Sequence, residues 1–322
     1  MRFRLLASLA LSASALLLLF GCSSSDAKHS ADLIAAVKAS TAIYNTHDMD
    51  AYAAHYTDDF KWDSVANGAV MGRNDFIAAV GALPKGDPTL LHYQQLTLSW
   101  GNMGFLDGCS FVSTNTATGI RYRAFHGDIL DFEGTSIKKM TSFNDGSQGG
   151  VALGQIEPTV PAPPLPATRS WPTPDPVATK LAPVAAQKEA FARWNSHDIS
   201  SVAKILSSDA SVQFSILYDP VSRGAFAAWL GVMFAAFPDL RIQEVRTFPL
   251  NDNYVGSEIT LGGTNTGSYM GNAPTGKAFS VRAAYLGRYD SNGLQTVLHL
   301  YYNSAAIVKQ LGLKAVAIPA SK

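Results

Sequence analysis

Two predicted strands carry the side chains best suited to acid–base chemistry or to ligand binding. In one of them His299, Tyr301 and Asn303 alternate with apolar residues, so their side chains share one face of the strand. In the other strand, the corresponding face ends at Asp145. Desolvation in an apolar pocket raises the pKa of a carboxyl group, so an Asp in such a pocket can act as a base near neutral pH.

Asp145 also has a structural interpretation. It lies in the sequence Asn144-Asp145-Gly146, and Asn, Asp and Gly are the residues that dominate turns. In that case the residue only ends the strand. The sequence leaves both roles open: a catalytic base inside a pocket, or a turn residue.

The elements around the final strand are predicted from strand, turn and capping signals. Tyr254–Leu261 and Ala278–Tyr289 are rich in β-branched and aromatic residues, which favours strands. The sequence Asp-Ser-Asn-Gly at 290–293 indicates a hairpin. Ser304 is the predicted N-cap of a short helix that ends at Gly312. This region is therefore predicted to be an antiparallel sheet followed by a helix.

Four short motifs follow one another in this part of the chain: AFPDL at 236–240, GTNTG at 263–267, G-x-x-PTGK at 271–277 and QLG at 310–312. Their order and spacing resemble the SnoaL-type polyketide cyclases of the nuclear transport factor 2-like superfamily. The resemblance covers roughly residues 185 to 313. It implies an α+β fold, in which N-terminal helices wrap a curved antiparallel sheet into a cone around an apolar pocket.

The sequence departs from that family at two places. Such cyclases carry His after Gly-Thr and an Asp base on the final strand, where this chain has Asn265 and Asn303. An amide does not accept a proton at neutral pH, so we expect this pocket to bind without proton abstraction. In the first half of the chain Asp145 stands at the place of the family's base. The ligand-binding residues that we expect are Asn265, His299, Tyr301, Asn303, Trp194, Tyr269, Trp62 and Phe143.

The chain repeats itself. YNTHD at 44–48 recurs 150 residues later as WNSHD at 194–198, and further on Arg123, Asp131 and Gly134 recur at an offset of 159. A repeat at a fixed offset predicts two tandem copies of one fold. In each copy the motif is predicted to break a helix and to start the next one. Asp48 and Asp198 are the predicted N-caps.

The predicted domain boundaries follow from the repeat and from proline content. We expect a first SnoaL-like domain at 31–150 and a second at 183–316, with a tail at 317–322. Between them, residues 151–182 hold the sequence VPAPPLPATRSWPTPDP. Such a composition favours extended polyproline II, so this segment is a predicted semi-rigid linker.

The N-terminus resembles a bacterial lipoprotein signal. Arg2 and Arg4 precede an uncharged stretch that ends in Leu-Phe-Gly-Cys at Cys22. We expect a signal peptide at 1–21, acylation of Cys22 and a tether at 22–30. The expected location is the cell envelope, on the periplasmic side of the outer membrane where the cell has one.

Composition excludes several classes of partner and cofactor. Without Arg2 and Arg4, 23 basic side chains (25 − 2) face 25 acidic ones, so the mature chain is nearly neutral and is not expected to bind nucleic acid. The seven His residues form no HExxH pair, and Cys109 has no CxxC companion. We therefore predict no metal site and no cofactor.

Two functions are consistent with this sequence. The favoured one is an exported, membrane-anchored lipoprotein whose two domains bind a small apolar ligand or an envelope partner without catalysis. The alternative is an ester cyclase or isomerase that transfers a proton beside a carbonyl group. The two copies are expected to pair with each other as an intramolecular pseudo-dimer or with another chain as a homodimer.

Overall fold

The computed structural model describes residues 24–86, 90–93, 96–114, 121–145, 182–215 and 220–313. The predicted signal peptide and the C-terminal tail lie outside these residues, and so does the predicted linker except for its last residue, Ala182. None of the helices in the described part of the chain is long and apolar enough to span a membrane.

The first half begins with helices and continues into a sheet. Its described elements are α1 (Ser24–Tyr44), α2 (Met49–Ala53), β1 (Tyr56–Ser64), β2 (Ala69–Gly72), α3 (Arg73–Gly86), β3 (Leu91–Tyr93), β4 (Leu96–Trp100), β5 (Met103–Thr114), β6 (Arg121–Glu133) and β7 (Ser136–Asn144). The strand order is β2-β1-β7-β6-β5-β3, and β4 also pairs with β5. Strands β1 and β7 run parallel, and the other described pairs are antiparallel.

The second half repeats this arrangement. Its described elements are α4 (Ala182–Asn195), α5 (Ile199–Ile205), β8 (Leu206–Phe214), α6 (Arg223–Ala236), β9 (Arg241–Pro249), β10 (Tyr254–Thr264), β11 (Ala278–Tyr289), β12 (Gln295–Tyr302) and α7 (Ser304–Leu311). The strand order is β8-β12-β11-β10-β9, and again the first strand pairs in parallel with the last. Both halves have the α+β architecture that the sequence predicts, with N-terminal helices followed by a mostly antiparallel sheet.

The corner between the first two helices is built in the same way in both halves. The side chain of Asn45 exchanges two hydrogen bonds with the backbone of His92, and Asn195 does the same with Ile242. These bonds tie the end of the first helix to an edge strand 47 residues further along the chain. Part of the repeated motif is therefore a structural clamp.

The two predicted helix caps are confirmed. Asp48 accepts a hydrogen bond from the backbone N–H of Ala51, and Asp198 accepts bonds from the backbone N–H groups of Ser200 and Ser201. A carboxylate at this place satisfies donors that a helix start leaves unpaired.

Two boundaries differ from the sequence predictions. The N-cap of α7 is Asn303, whose Oδ1 accepts the N–H of Ala306, so Ser304 is the first helical residue and not the cap. Gly312 ends this helix as expected, with φ of 69°. Helix α1 begins at Ser24, within the segment expected to be a tether, because the regular backbone continues upstream of the apolar positions.

The sheet faces that point away from the helices pack against each other. Phe105, Ile129 and Phe143 of the first half form one apolar cluster with Leu286 and Tyr301 of the second. The approach is close at Gly127, where a Cβ atom would lie 2.6 Å from the Tyr301 ring. Each half keeps a separate core between its helices and the opposite face of its own sheet.

Polar groups also join the halves. Asp107, which is fully buried, accepts the hydroxyl proton of Tyr301 at 2.6 Å and lies 2.8 Å from Nδ1 of His299. Arg282 binds Asp63 of the first half at 2.8 Å and Glu258 of its own half at 2.6 Å. Asp107 is a buried carboxylate, so loss of its partners in the second half would leave it without hydrogen bonds that offset its desolvation.

Candidate functional site

A cavity of about 190 Å³ lies in the first half, between the helices and the inner face of the sheet. Its walls come from α1, α2 and α3, from β1, and from the strands β3, β5, β6 and β7. Most of the lining is apolar, with aromatic rings along one side. Such a concave site with a few convergent polar groups is the usual form of a small-molecule site.

The polar end of the cavity contains two histidines and a carboxylate. His126 and Asp128 are two residues apart on β6, so both side chains point inward. Nε2 of His126 lies 3.3 Å from Oδ2 of Asp128 and 3.3 Å from Nε2 of His92 on β3. The two imidazole rings are stacked, with an angle of 9° between their planes and 5.2 Å between their centres.

Asp128 is incompletely satisfied. The residue is 3% exposed, and its Oδ1 atom has no hydrogen-bond partner among the described residues. A buried carboxylate is costly unless its oxygens accept hydrogen bonds. Oδ1 is therefore a buried acceptor in a residue of the cavity wall, and no hydrogen bond from the described residues offsets its desolvation.

His92 is held in its neutral form. Burial lowers the pKa of His92 to about 3, and repulsion from the neighbouring His126 acts in the same direction. The backbone of His92 is fixed by the Asn45 clamp, so the helix corner positions this imidazole. A neutral imidazole presents one N–H donor and one acceptor, but no positive charge.

A pair of tyrosines lies beside the carboxylate. Tyr56 donates its hydroxyl proton to the hydroxyl oxygen of Tyr52 at 2.5 Å. Burial raises the pKa of both phenols well above the usual value, so both stay protonated. Tyr52 accepts this bond and retains a proton that it can donate.

Trp62 and Phe143, the two expected ligand-binding residues of the first half, lie in different places. Trp62 lines the cavity, and its indole N–H donates to Oγ of Ser142 at 2.8 Å. Phe143, the next residue on β7, lies in the apolar cluster between the two sheets. The face of β7 that lines the cavity carries Met140, Ser142 and Asn144.

Asp145 lies at the contact between the halves. It is 1% exposed, and one carboxylate oxygen accepts the backbone N–H of Ser304 at the start of α7. It is not among the residues that line the cavity. The positive end of the helix dipole stabilises the negative charge of Asp145.

His299 and Tyr301 also face the first half, where they contact Asp107. The sequence predicts that this face of β12 points into a pocket. The opposite face, with Leu298, Leu300 and Tyr302, packs in the second-half core. Both faces of the strand are buried because the sheets stack, and polarity therefore does not identify the inward face.

The remaining predicted residues of the second half have structural contacts. Asn265 donates to the carbonyl oxygen of Gly267 and accepts the N–H of Thr275, so its amide holds the loop after β10. Asn303 caps α7. Trp194 and Tyr269 are buried in the second-half core.

The second half lacks the polar end of the cavity. The repeat offsets place Tyr285 at the position of His126 (126 + 159), Gly287 at that of Asp128 (128 + 159) and Ile242 at that of His92 (92 + 150). A Cβ atom at Gly287 would lie 2.6 Å from Oε1 of Gln187 and 2.8 Å from Nε2 of Gln295. Side chains of this half thus occupy the space around that position.

Sequence reasoning missed His92, His126 and Asp128. A signal was present, since His126-x-Asp128 alternates within an apolar run and places two functional groups on one strand face. The repeat could have shown that both are lost in the second copy. No local signal joins His92 to them, because β3 and β6 meet only in the folded sheet.

One family model matches a part of the second half. Residues 185–311 match the family model described as SnoaL-like polyketide cyclase. No curated protein matches the chain.

Several solved structures are similar to part of the chain. AclR from Streptomyces galilaeus is 25% identical and has a TM-score of 0.38, over 42% of this chain and 98% of AclR. IdmH from Streptomyces antibioticus is 18% identical and has a TM-score of 0.37, over 41% of this chain and 99% of IdmH. A protein from Silicibacter sp. TM1040 is 19% identical and has a TM-score of 0.38, over 43% of this chain and 99% of its own.

Proposed function

We propose that this chain, whose residues 185–311 match the SnoaL-like polyketide cyclase family, binds a small and mostly apolar molecule in the cavity of its first half. The observation that carries the proposal is Oδ1 of Asp128, a buried oxygen without a hydrogen-bond partner among the described residues, on a residue that lines a mostly apolar cavity. A ligand with one polar group satisfies this atom and places its apolar body against the aromatic wall.

The second half supports the proposal by contrast. The position equivalent to Asp128 is Gly287, and Gln187 and Gln295 approach it closely. We propose that the second half stabilises the first through the stacked sheets and does not bind the ligand at this place. The two halves then pair within one chain, as the contacts of Asp107 with His299 and Tyr301 favour.

Binding can be tested by calorimetric titration with single-ring compounds such as phenol and cyclohexanone. Val37→Phe puts a larger side chain into the cavity wall and is expected to weaken binding at least tenfold. Val232→Phe is the matched control, because Val232 is 56% exposed on α6. Equal binding by both variants, with folding confirmed by circular dichroism, would place the ligand elsewhere.

Proton transfer beside a carbonyl group is the second candidate function. The pairing of Asp128 with His126 favours it, because a carboxylate with one open oxygen can take a proton while the imidazole orients the other oxygen. Asp145, at the place of the family's base, is the other candidate base.

One measurement distinguishes the two candidate bases, Asp128 and Asp145. Exchange of the hydrogens beside the carbonyl of cyclohexanone in deuterated water is followed by NMR with wild type, Asp128→Asn and Asp145→Asn. We expect the protein-catalysed exchange to be lost with Asp128→Asn alone. Loss with Asp145→Asn alone would transfer the role to that residue, and no catalysed exchange by the wild type would leave a binding function.

We also propose that the chain is exported and anchored in the envelope by acylation of Cys22. The signal-like residues before Cys22 support this, and several acyl chains would make the anchoring stable, at ~0.8 kcal/mol per buried CH₂. Cys22→Ala is expected to move the protein from the membrane fraction to a soluble exported pool. Retention of the variant in membranes after carbonate extraction would contradict lipid anchoring.

A further inference from the structure

The charge of the first-half cavity is not balanced by its walls. Among the lining residues that the structure describes, Asp128 is the one carboxylate, and none is Lys or Arg. His92 contributes no positive charge, since burial keeps it neutral. Nε2 of His126 lies 3.3 Å from Oδ2 of Asp128 and leaves Oδ1 without a hydrogen-bond partner among the described residues.

The walls beside Asp128 are aromatic. Tyr44, Tyr52, Tyr56, Trp62 and Phe76 all line the cavity. Aromatic rings attract organic cations through their quadrupoles, and the attraction is stronger where water is excluded. Aromatic rings and a buried carboxylate in the wall of one cavity form a chemical environment that stabilises an alkylated ammonium group.

The size of the cavity limits the ligand. An engineered cavity of about 150 Å³ holds benzene, so a cavity of about 190 Å³ holds a compact molecule of roughly that size. A molecule with several fused rings exceeds this space. The ligand must therefore place its charge and its apolar groups within a few bonds of each other.

We propose that the ligand of this cavity is a compact tertiary alkylammonium ion whose N–H donates to Oδ1 of Asp128. The alkyl groups pack on the aromatic rings, and a hydroxyl group on the ligand accepts the proton that Tyr52 retains. A neutral ligand of the same shape makes the apolar contacts but leaves the buried carboxylate without a counter-charge. This inference rests on the ligand site proposed above.

The test compares two molecules of nearly equal shape, N,N-dimethylethanolamine, protonated at neutral pH, and its uncharged carbon analogue 3-methylbutan-1-ol. Both are titrated calorimetrically into the full chain at pH 7. We expect the ammonium compound to bind at least tenfold more tightly, because a charge-assisted hydrogen bond and cation–π contacts add to the shared apolar contacts.

Asp128→Asn removes the charge with almost no change of shape and is expected to abolish the preference. Glu133→Gln is the matched control, because Glu133 lies on the same strand, is solvent exposed and is not a lining residue. The wild-type comparison requires no variant, so it decides the question even where Asp128→Asn fails to fold.

The outcomes separate this inference from the function on which it rests. If the wild type binds both compounds with equal affinity, the proposal of an ammonium ligand is wrong. The cavity remains the binding site if Val37→Phe weakens the binding of either compound. A preference that survives in folded Asp128→Asn also overturns the proposal of an ammonium ligand. Failure of the wild type to bind either compound, phenol or cyclohexanone would overturn both proposals.

Discussion

His92 shows how one buried side chain gives the protein a pH dependence. Its folded-state pKa of about 3 lies below the unfolded value of about 6.5. The folded state therefore binds fewer protons, and the stability that neutral His92 contributes is complete above pH 6.5 and is lost as the pH falls from 6.5 towards 3.

We expect His92→Leu to flatten this dependence. Between pH 7 and pH 5 the wild type should lose about 2 kcal/mol more unfolding free energy than the variant, since a group with these two pKa values loses up to about 1.4 kcal/mol per pH unit. Urea denaturation at both pH values measures the difference. Identical pH dependences would show that folding does not lower the pKa of His92.

Asn45 and Asn195 each connect two secondary-structure elements. Each joins a helix end to an edge strand through two hydrogen bonds, but only Asn45 holds a residue of the cavity, His92. Its counterpart Asn195 holds Ile242, which is part of the second-half core. The same hydrogen-bonded corner thus supports the cavity in the first half and the apolar core in the second.

Asn45→Ala and Asn195→Ala form a matched pair of variants. Each is expected to lower the unfolding free energy by about 1–3 kcal/mol, because the substitution leaves backbone groups of a strand without partners. Only Asn45→Ala should weaken ligand binding, as it releases the strand that carries His92. Equal effects of both variants on binding, measured by calorimetry, would contradict this division.

At the scale of the whole molecule, the stacked sheets make the two halves one structure. Gly127 allows this contact, since a Cβ there would lie 2.6 Å from the ring of Tyr301. The apolar cluster and the buried Asp107 network lie at the same contact. Separation of the halves would expose both.

Gly127→Ala is therefore expected to lower the unfolding free energy by about 1–3 kcal/mol through overpacking at the contact. Gly72→Ala is the matched control, because no atom lies within 4 Å of the Cβ that it adds. Differential scanning calorimetry should show a lower melting temperature for Gly127→Ala than for the control. Equal melting temperatures would mean that the two sheets separate readily at this point.

The local chemistry of the sequence determined much of the fold. Turn residues placed the hairpin at 290–293, whose Asp290 side chain accepts two backbone N–H groups, and Asp48 and Asp198 cap the predicted helices. The second-half motifs predicted the SnoaL-like family, which the match over 185–311 supports. Such features depend on residues close together in the chain, so the sequence contains them directly.

Tertiary structure decided which residues form the candidate site. The alternation along β12 correctly places His299 and Leu298 on opposite faces of the strand. Both faces are buried because the two sheets stack, so burial does not distinguish a pocket from the contact between the halves. His92 reaches His126 only because β3 and β6 both pair with β5. Contacts between distant strands depend on register and on packing between sheets, and no local sequence signal fixes these.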